Sequence, residues 1–174
     1  PGFGDDRMRF GGVKIFVDGV GHDGYGNRVF DVKWEPEELT EFICRAHAAG
    51  QQLWMHVCSQ PAIRMICDGI EEALRRHPAP HRHRIEHRAD YLIDDADIAR
   101  VQRLGLRIIT TPAFIYAQGD VLALPNSQRW PRQFKLRTLV ERGFEVIGSS
   151  DSTGSIPDGI PPLYNIACAV TRRT

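Results

Sequence analysis

Apolar positions along this chain follow two alternating periods. Residues 12–17 alternate as a short strand, and residues 36–49 place Leu39, Phe42, Ile43 and Ala46 on one helical face, opened by Pro36 and stopped by Gly50. Residues 52–57 read as the next strand, and 61–76 as a helix striped by Ile63, Ile66, Ile70, Ala73 and Leu74. A third strand is expected at 82–86. A helix then starts at Asp94 or Asp95, both good caps, and carries Ile98, Val101 and Leu104 to Gly105. Residues 106–111 form a fourth strand, 131–142 a helix, 144–148 a fifth strand, and a last helix starts near Pro161. Two long segments, 18–34 and 112–130, follow strands and read as loops, which at that length are usually functional.

Strict alternation of strand and helix predicts an α/β fold with a parallel sheet and helices outside it. Five strands do not close a (β/α)₈ barrel, which needs eight. The pattern therefore leaves two forms open: an open doubly wound sheet, or a TIM barrel whose first three strands lie outside the sequence. Beginning at Pro1 agrees with the second.

Composition narrows the partner classes. With 22 Lys and Arg against 22 Asp and Glu, the 174 residues carry no formal net charge, so no nucleic-acid partner is expected. No apolar run approaches the roughly 20 residues that span a bilayer, so no membrane partner is expected either. Cys44, Cys58, Cys67 and Cys168 lack Cys-x-x-Cys spacing, which argues for reduced thiols in a cytoplasmic protein.

The strand exits carry the candidate chemistry. The first strand offers Lys14 and Asp18, the second His56, the third His87 and the fifth Asp151, all on one rim of a parallel sheet. Histidine and carboxylate are what a catalytic divalent ion requires. His87 ends the segment His-Arg-His-Arg-Ile-Glu-His at 81–87. His81 and His83 imitate a His-x-His metal motif, but His83 lies roughly 13 Å before His87 on an extended strand and is expected to be structural. Arg84 and Glu86 are expected on the face opposite His87, toward the helices and paired with each other or with neighbours. His47 reads as helix packing, His22 and Asp18 as substrate contacts with a turn aspartate as the simpler role for Asp18, and Phe114, Tyr116 and Trp130 as brackets of a rim loop.

Gly-Gly-Val-Lys14-Ile-Phe-Val-Asp18-Gly, His56, His-Arg-Ile-Glu-His87 and Gly-Ser-Ser-Asp151 together resemble the amidohydrolase superfamily, in particular the amidohydrolase family 3 branch that includes enzymes like N-substituted formamide deformylase. The resemblance implies a (β/α)₈ barrel, with this chain supplying about strands four to eight as one partial domain over residues 1–174. It also implies a metal-dependent hydrolase of C–N bonds in amides, N-acyl amines or formamides. In that scheme Lys14 is a carboxylated lysine bridging two metals, His56 and His87 bind the second metal, and Asp151 is both ligand and proton shuttle for metal-activated hydroxide. One or two divalent ions, zinc by default, serve a small-molecule substrate, and a homo-oligomer is left open. The chain departs from the family at Val57-Cys58-Ser59-Gln60 and at residues 19–27. Two alternatives remain: a mononuclear, deaminase-like site in which Lys14 binds no metal, and a non-catalytic half-barrel interaction module.

Overall fold

The computed structural model describes residues 4–23, 28–90, 93–117, 133–152 and 159–173. The chain divides into two compact units, Pro1–Glu86 with Asp94–Arg107, and His87–Ile93 with Ile108–Thr174.

In the first unit β1 (Val13–Phe16) pairs in parallel with β4 (Leu53–His56), and β4 pairs in parallel with β5 (Arg84–Glu86). Between β1 and β4 run β2 (Asp18–His22), β3 (Arg28–Val32) and α1 (Pro36–Ala48); α2 (Gln60–Arg76) joins β4 to β5, and α3 (Asp95–Arg103) follows. Pleating sends Ile15, Val17, Leu53, Met55, Val57 and Ile85 to one side, where all are buried. The helices contribute Leu39 and Ile43 from α1 and Ile63, Ile66 and Ile70 from α2 to the buried set. Two helix starts are capped by side chains, the second at Asp94 as expected. The Ser59 hydroxyl accepts the Ala62 N–H at 3.3 Å, and Asp94 accepts the Asp97 N–H at 2.8 Å.

Residues 18–34 differ from the expected loop. They hold an antiparallel hairpin in which Asp18 pairs with Val32 and His22 with Arg28. Ladder hydrogen bonds need only backbone, so Gly19 and Gly21 do not interrupt the pairing, and Val20 faces Phe30 across the ribbon. Lys33 N–H to the Val17 carbonyl, 2.9 Å, ties the hairpin base to the sheet.

In the second unit β6 (Arg107–Thr110) and β7 (Val146–Gly148) are parallel, with Ile108 opposite Val146 and Thr110 opposite Gly148. Helices α4 (Leu136–Glu141) and α5 (Pro162–Thr171) accompany them. Ala113, Phe114, Ile115 and Phe134 form the buried cluster, with Leu136 and Tyr164 against it. Buried Asn165 clamps this region: its Oδ1 accepts the Ala113 N–H at 3.0 Å and its Nδ2 donates to the Gly159 carbonyl. The start expected for α4 at Pro131 lies outside the described residues. No described helix is long and apolar enough to cross a membrane.

Candidate metal centre

Two register rows organise one face of the first unit's sheet. Lys14, Trp54 and Arg84 form one row, and Phe16, His56 and Glu86 the next. The Lys14 ammonium donates to the Glu86 carboxylate, and Arg84 Nε donates to Glu86 Oε1 at 3.0 Å. Glu86 is only 8% exposed, so two cations satisfy a carboxylate that burial would otherwise penalise. The Phe16 and His56 rings lie 4.7 Å apart, and the Arg84 guanidinium sits 4.2 Å over the Trp54 ring.

Arg84 and Glu86 therefore pair with each other as expected, but they share a face with Lys14 and His56 and do not turn toward the helices. His87 has φ +71°, a left-handed backbone that costs a non-glycine residue roughly 1–2 kcal/mol. The pleat is broken between Glu86 and His87. Counting parity back from His87 thus assigns the wrong face.

Asp18 starts β2 and is fully buried. Its Oδ1 accepts the Cys58 N–H at 2.8 Å and its Oδ2 the Ser59 N–H at 2.7 Å. The carboxylate thus sits at the N-terminus of α2, where unpaired N–H groups and the helix dipole favour an anion. Ligand atoms of Asp18, His56 and Cys58 all lie within 4.8 Å of one another, with Cys58 Sγ 3.4 Å from His56 Nε2. His22 closes β2.

The second unit brings His87 and Asp151 together. His87 Nε2 lies 4.0 Å from Asp151 Oδ1, and His87 Nδ1 faces Asp90 Oδ2 at 3.5 Å. Asp90 was not singled out by the sequence pattern. It closes the 3₁₀ turn Arg88–Asp90, is almost wholly buried, and accepts hydrogen bonds from the Thr110 hydroxyl and the Thr111 N–H, the latter at 3.0 and 3.1 Å. Burial pushes its carboxyl above the usual range, opposed by the His87 and Thr110 contacts. A carboxylate three residues beyond a strand-exit histidine, next to the Thr110-Thr111 exit, is the signal that would have found it.

The donor chemistry fits a divalent ion. Asp90 is the carboxylate facing Nδ1, at 3.5 Å; drawn into hydrogen-bonding distance it would favour the tautomer that leaves the Nε2 lone pair facing Asp151, the usual support of a metal-ligating histidine. Two bonds of about 2.0–2.1 Å at a tetrahedral angle hold their donors about 3.4 Å apart, so the pair, 4.0 Å apart here, would draw in by about 0.6 Å on binding an ion. Asp151 also has a left-handed φ, +47°; strained backbone of this kind clusters at functional sites. The Phe114 ring stacks on His87 at 5.8 Å and 16°. Tyr116 is exposed and meets Tyr164 edge-on, and Trp130 lies outside the described residues.

A family model described as amidohydrolase family matches residues 1–174. The chain belongs to the amidohydrolase family. Over 154 residues it is 25% identical to N-substituted formamide deformylase of Arthrobacter pascens, an alignment covering 83% of this chain and 28% of that protein. The folds of two uncharacterized metal-dependent hydrolases agree. That from Pyrococcus horikoshii OT3 superposes with TM-score 0.74 at 23% identity, covering 98% of this chain and 35% of the other. That from Pyrococcus furiosus gives 0.68 at 23%, covering 97% and 39%. The chain thus spans between about a quarter and two fifths of these relatives, and its α/β architecture is that of part of an amidohydrolase-type barrel.

Proposed function

We propose that the protein carrying this chain is a metal-dependent hydrolase of C–N bonds acting on small amides, N-acyl amines or formamides. The observation that supports this most is the His87–Asp151 donor pair at 4.0 Å, with Asp90 behind the His87 ring. His87 and Asp151 would hold the ion, and the family resemblance adds His56 and a carboxylated Lys14 as the further candidate ligands. When bound, such an ion supplies a polarised carbonyl and a water of lowered pKa. Zinc suits imidazole and carboxylate donors, though those donors select it only weakly.

The chain's own residues have distinct tasks. Asp90 fixes the His87 tautomer and so the direction of its Nε2. Asp151, with 35% of its side chain exposed, accepts a proton at a carboxylate oxygen and returns it to the departing nitrogen, which is general base and then general acid work. Phe114 covers one side of the His87 ring. The Arthrobacter relative, named for removing formyl groups from N-substituted formamides, makes that bond class the first to assay.

One observation favours a mononuclear variant. The Lys14 amine is paired with Glu86; carboxylation would set two anions side by side, a repulsion that only bound cations would offset.

The test is a substrate panel. Purified protein carrying this chain is assayed on N-substituted formamides, longer N-acyl amines and matched esters, before and after chelation. Chelator-sensitive hydrolysis confined to C–N substrates is expected. Ester turnover alone, or turnover that survives chelation, contradicts the proposal.

A further inference from the structure

Asp18, His56 and Cys58 form a donor set of which the reading above uses only His56. The three come from the start of β2, the end of β4 and the link into α2, and their ligand atoms converge within 4.8 Å. Two geometric facts speak to metal binding. Bonds of 2.3 Å to sulfur and about 2.05 Å to imidazole nitrogen, at a tetrahedral angle, hold the two donors about 3.6 Å apart; Cys58 Sγ and His56 Nε2 are 3.4 Å apart. Asp18 is oriented by the Cys58 and Ser59 N–H groups, one on each oxygen, which leaves a second lone pair on each and pins the backbone that carries Cys58.

Charge points the same way. Asp18 and Cys58 are buried, and a divalent ion bound by one carboxylate, one thiolate and one neutral imidazole gives a neutral group, the form a buried site tolerates. Thiolate also selects the ion. Sulfur favours zinc, cadmium and similar thiophilic ions over magnesium, calcium or manganese.

We infer that Asp18, His56 and Cys58 form a thiolate-containing site for a thiophilic divalent ion. Binding displaces the Cys58 thiol proton to solvent and makes one sulfur bond, one nitrogen bond and one oxygen bond to the ion. Because His56 is common to both sets, this part of the inference rests on the reading above: an ion seated here withdraws His56 from the catalytic set and inhibits hydrolysis. Excess zinc or cadmium then inhibits where excess manganese does not.

The test is a cobalt(II) and cadmium titration of the metal-free protein, followed by near-ultraviolet absorption, where thiolate-to-metal charge transfer appears. The wild type is expected to develop that band at one equivalent. Cys58→Ser loses it, and Asp18→Asn, which removes a bonding oxygen, weakens binding by more than the roughly 10–100-fold that loss of a merely supporting outer partner costs. Cys58→Ser is nearly isosteric, and its circular dichroism and thermal midpoint check that it folds. The inference is overturned if the wild type shows no band, or if the band is unchanged in Cys58→Ser, which would assign it to Cys44, Cys67 or Cys168. Failure is separable from failure of the hydrolase reading: Asp151→Asn should abolish turnover and keep the thiolate band.

Discussion

His83 Nε2 lies 3.0 Å from His47 Nδ1, inside a chain of imidazoles at the foot of β5. The partners fix every proton in it. The Leu53 N–H donates to His83 Nδ1, so His83 Nε2 carries the hydrogen and donates to His47, whose Nε2 in turn donates to the His77 carbonyl. His81 accepts the His83 N–H at Nδ1 and donates from Nε2 to the Leu104 carbonyl. Neither His83 nor His81 can take a second proton without losing the hydrogen bond that its Nδ1 accepts.

Acid should therefore unfold this protein through these rings. Burial, then the neighbouring His81 and His47, pushes His83 down to about 3, and burial lowers His81, with His47 and Arg107 adding smaller effects. Folded values below the unfolded value of about 6.5 mean that the unfolded chain binds more protons, so stability is full above pH 6.5 and falls toward pH 3. The loss is on the order of a few kcal/mol. Thermal midpoints measured across that range should decline for the wild type and decline less steeply for His83→Gln; equal slopes would remove His83 from the account.

Asp90→Asn should weaken binding of the ion by about 10–100-fold, because the His87 ring loses the carboxylate that fixes its tautomer. Competition with a chelator of known affinity measures this. Unchanged affinity would show that Asp90 serves only Thr110 and Thr111.

Gly12→Ala tests the packing at the start of β1. A Cβ there would collide with the Gln52 carbonyl oxygen and meet the Trp54 ring at 2.8 Å, and that carbonyl already accepts the Val13 N–H. Neither backbone can move without breaking the bond that starts the β1–β4 pairing. A loss of about 1–3 kcal/mol is expected from denaturant unfolding, and a neutral result would contradict the register.

Lys14→Ala separates the two metal stoichiometries. A bridging carboxylated Lys14 predicts that the number of tightly bound ions per chain falls when it is removed. The Lys14–Glu86 pair, if it persists in the working enzyme, predicts the same ion content in both proteins. Elemental analysis of the two gives the answer.

Much of this was legible in the chain because helix and strand periods are local. Residues 36–49 and 61–76 are expected as helices, and α1 (Pro36–Ala48) and α2 (Gln60–Arg76) occupy them, since the apolar stripe of each and its opening proline are local features. The hairpin at 18–32 was not legible. Its ladder is made by backbone, and its glycines resemble a turn. Two strand-exit residues, His87 and Asp151, were chosen from sequence, but their left-handed backbones were not. That single torsion at His87 reversed the face assigned to Arg84 and Glu86. Asp90 was missed because its role depends on Thr110 and Thr111, about 20 residues further along.

The central claim, that His87 and Asp151 hold a divalent ion that hydrolyses a C–N bond, is tested most directly by zinc add-back. Protein carrying this chain is stripped with chelator, then assayed on an N-substituted formamide as zinc is returned, alongside His87→Ala and Asp151→Asn. The account predicts activity that disappears on stripping, returns with zinc in the wild type, and returns in neither variant. Zinc-restored activity at the wild-type level in both variants would contradict it.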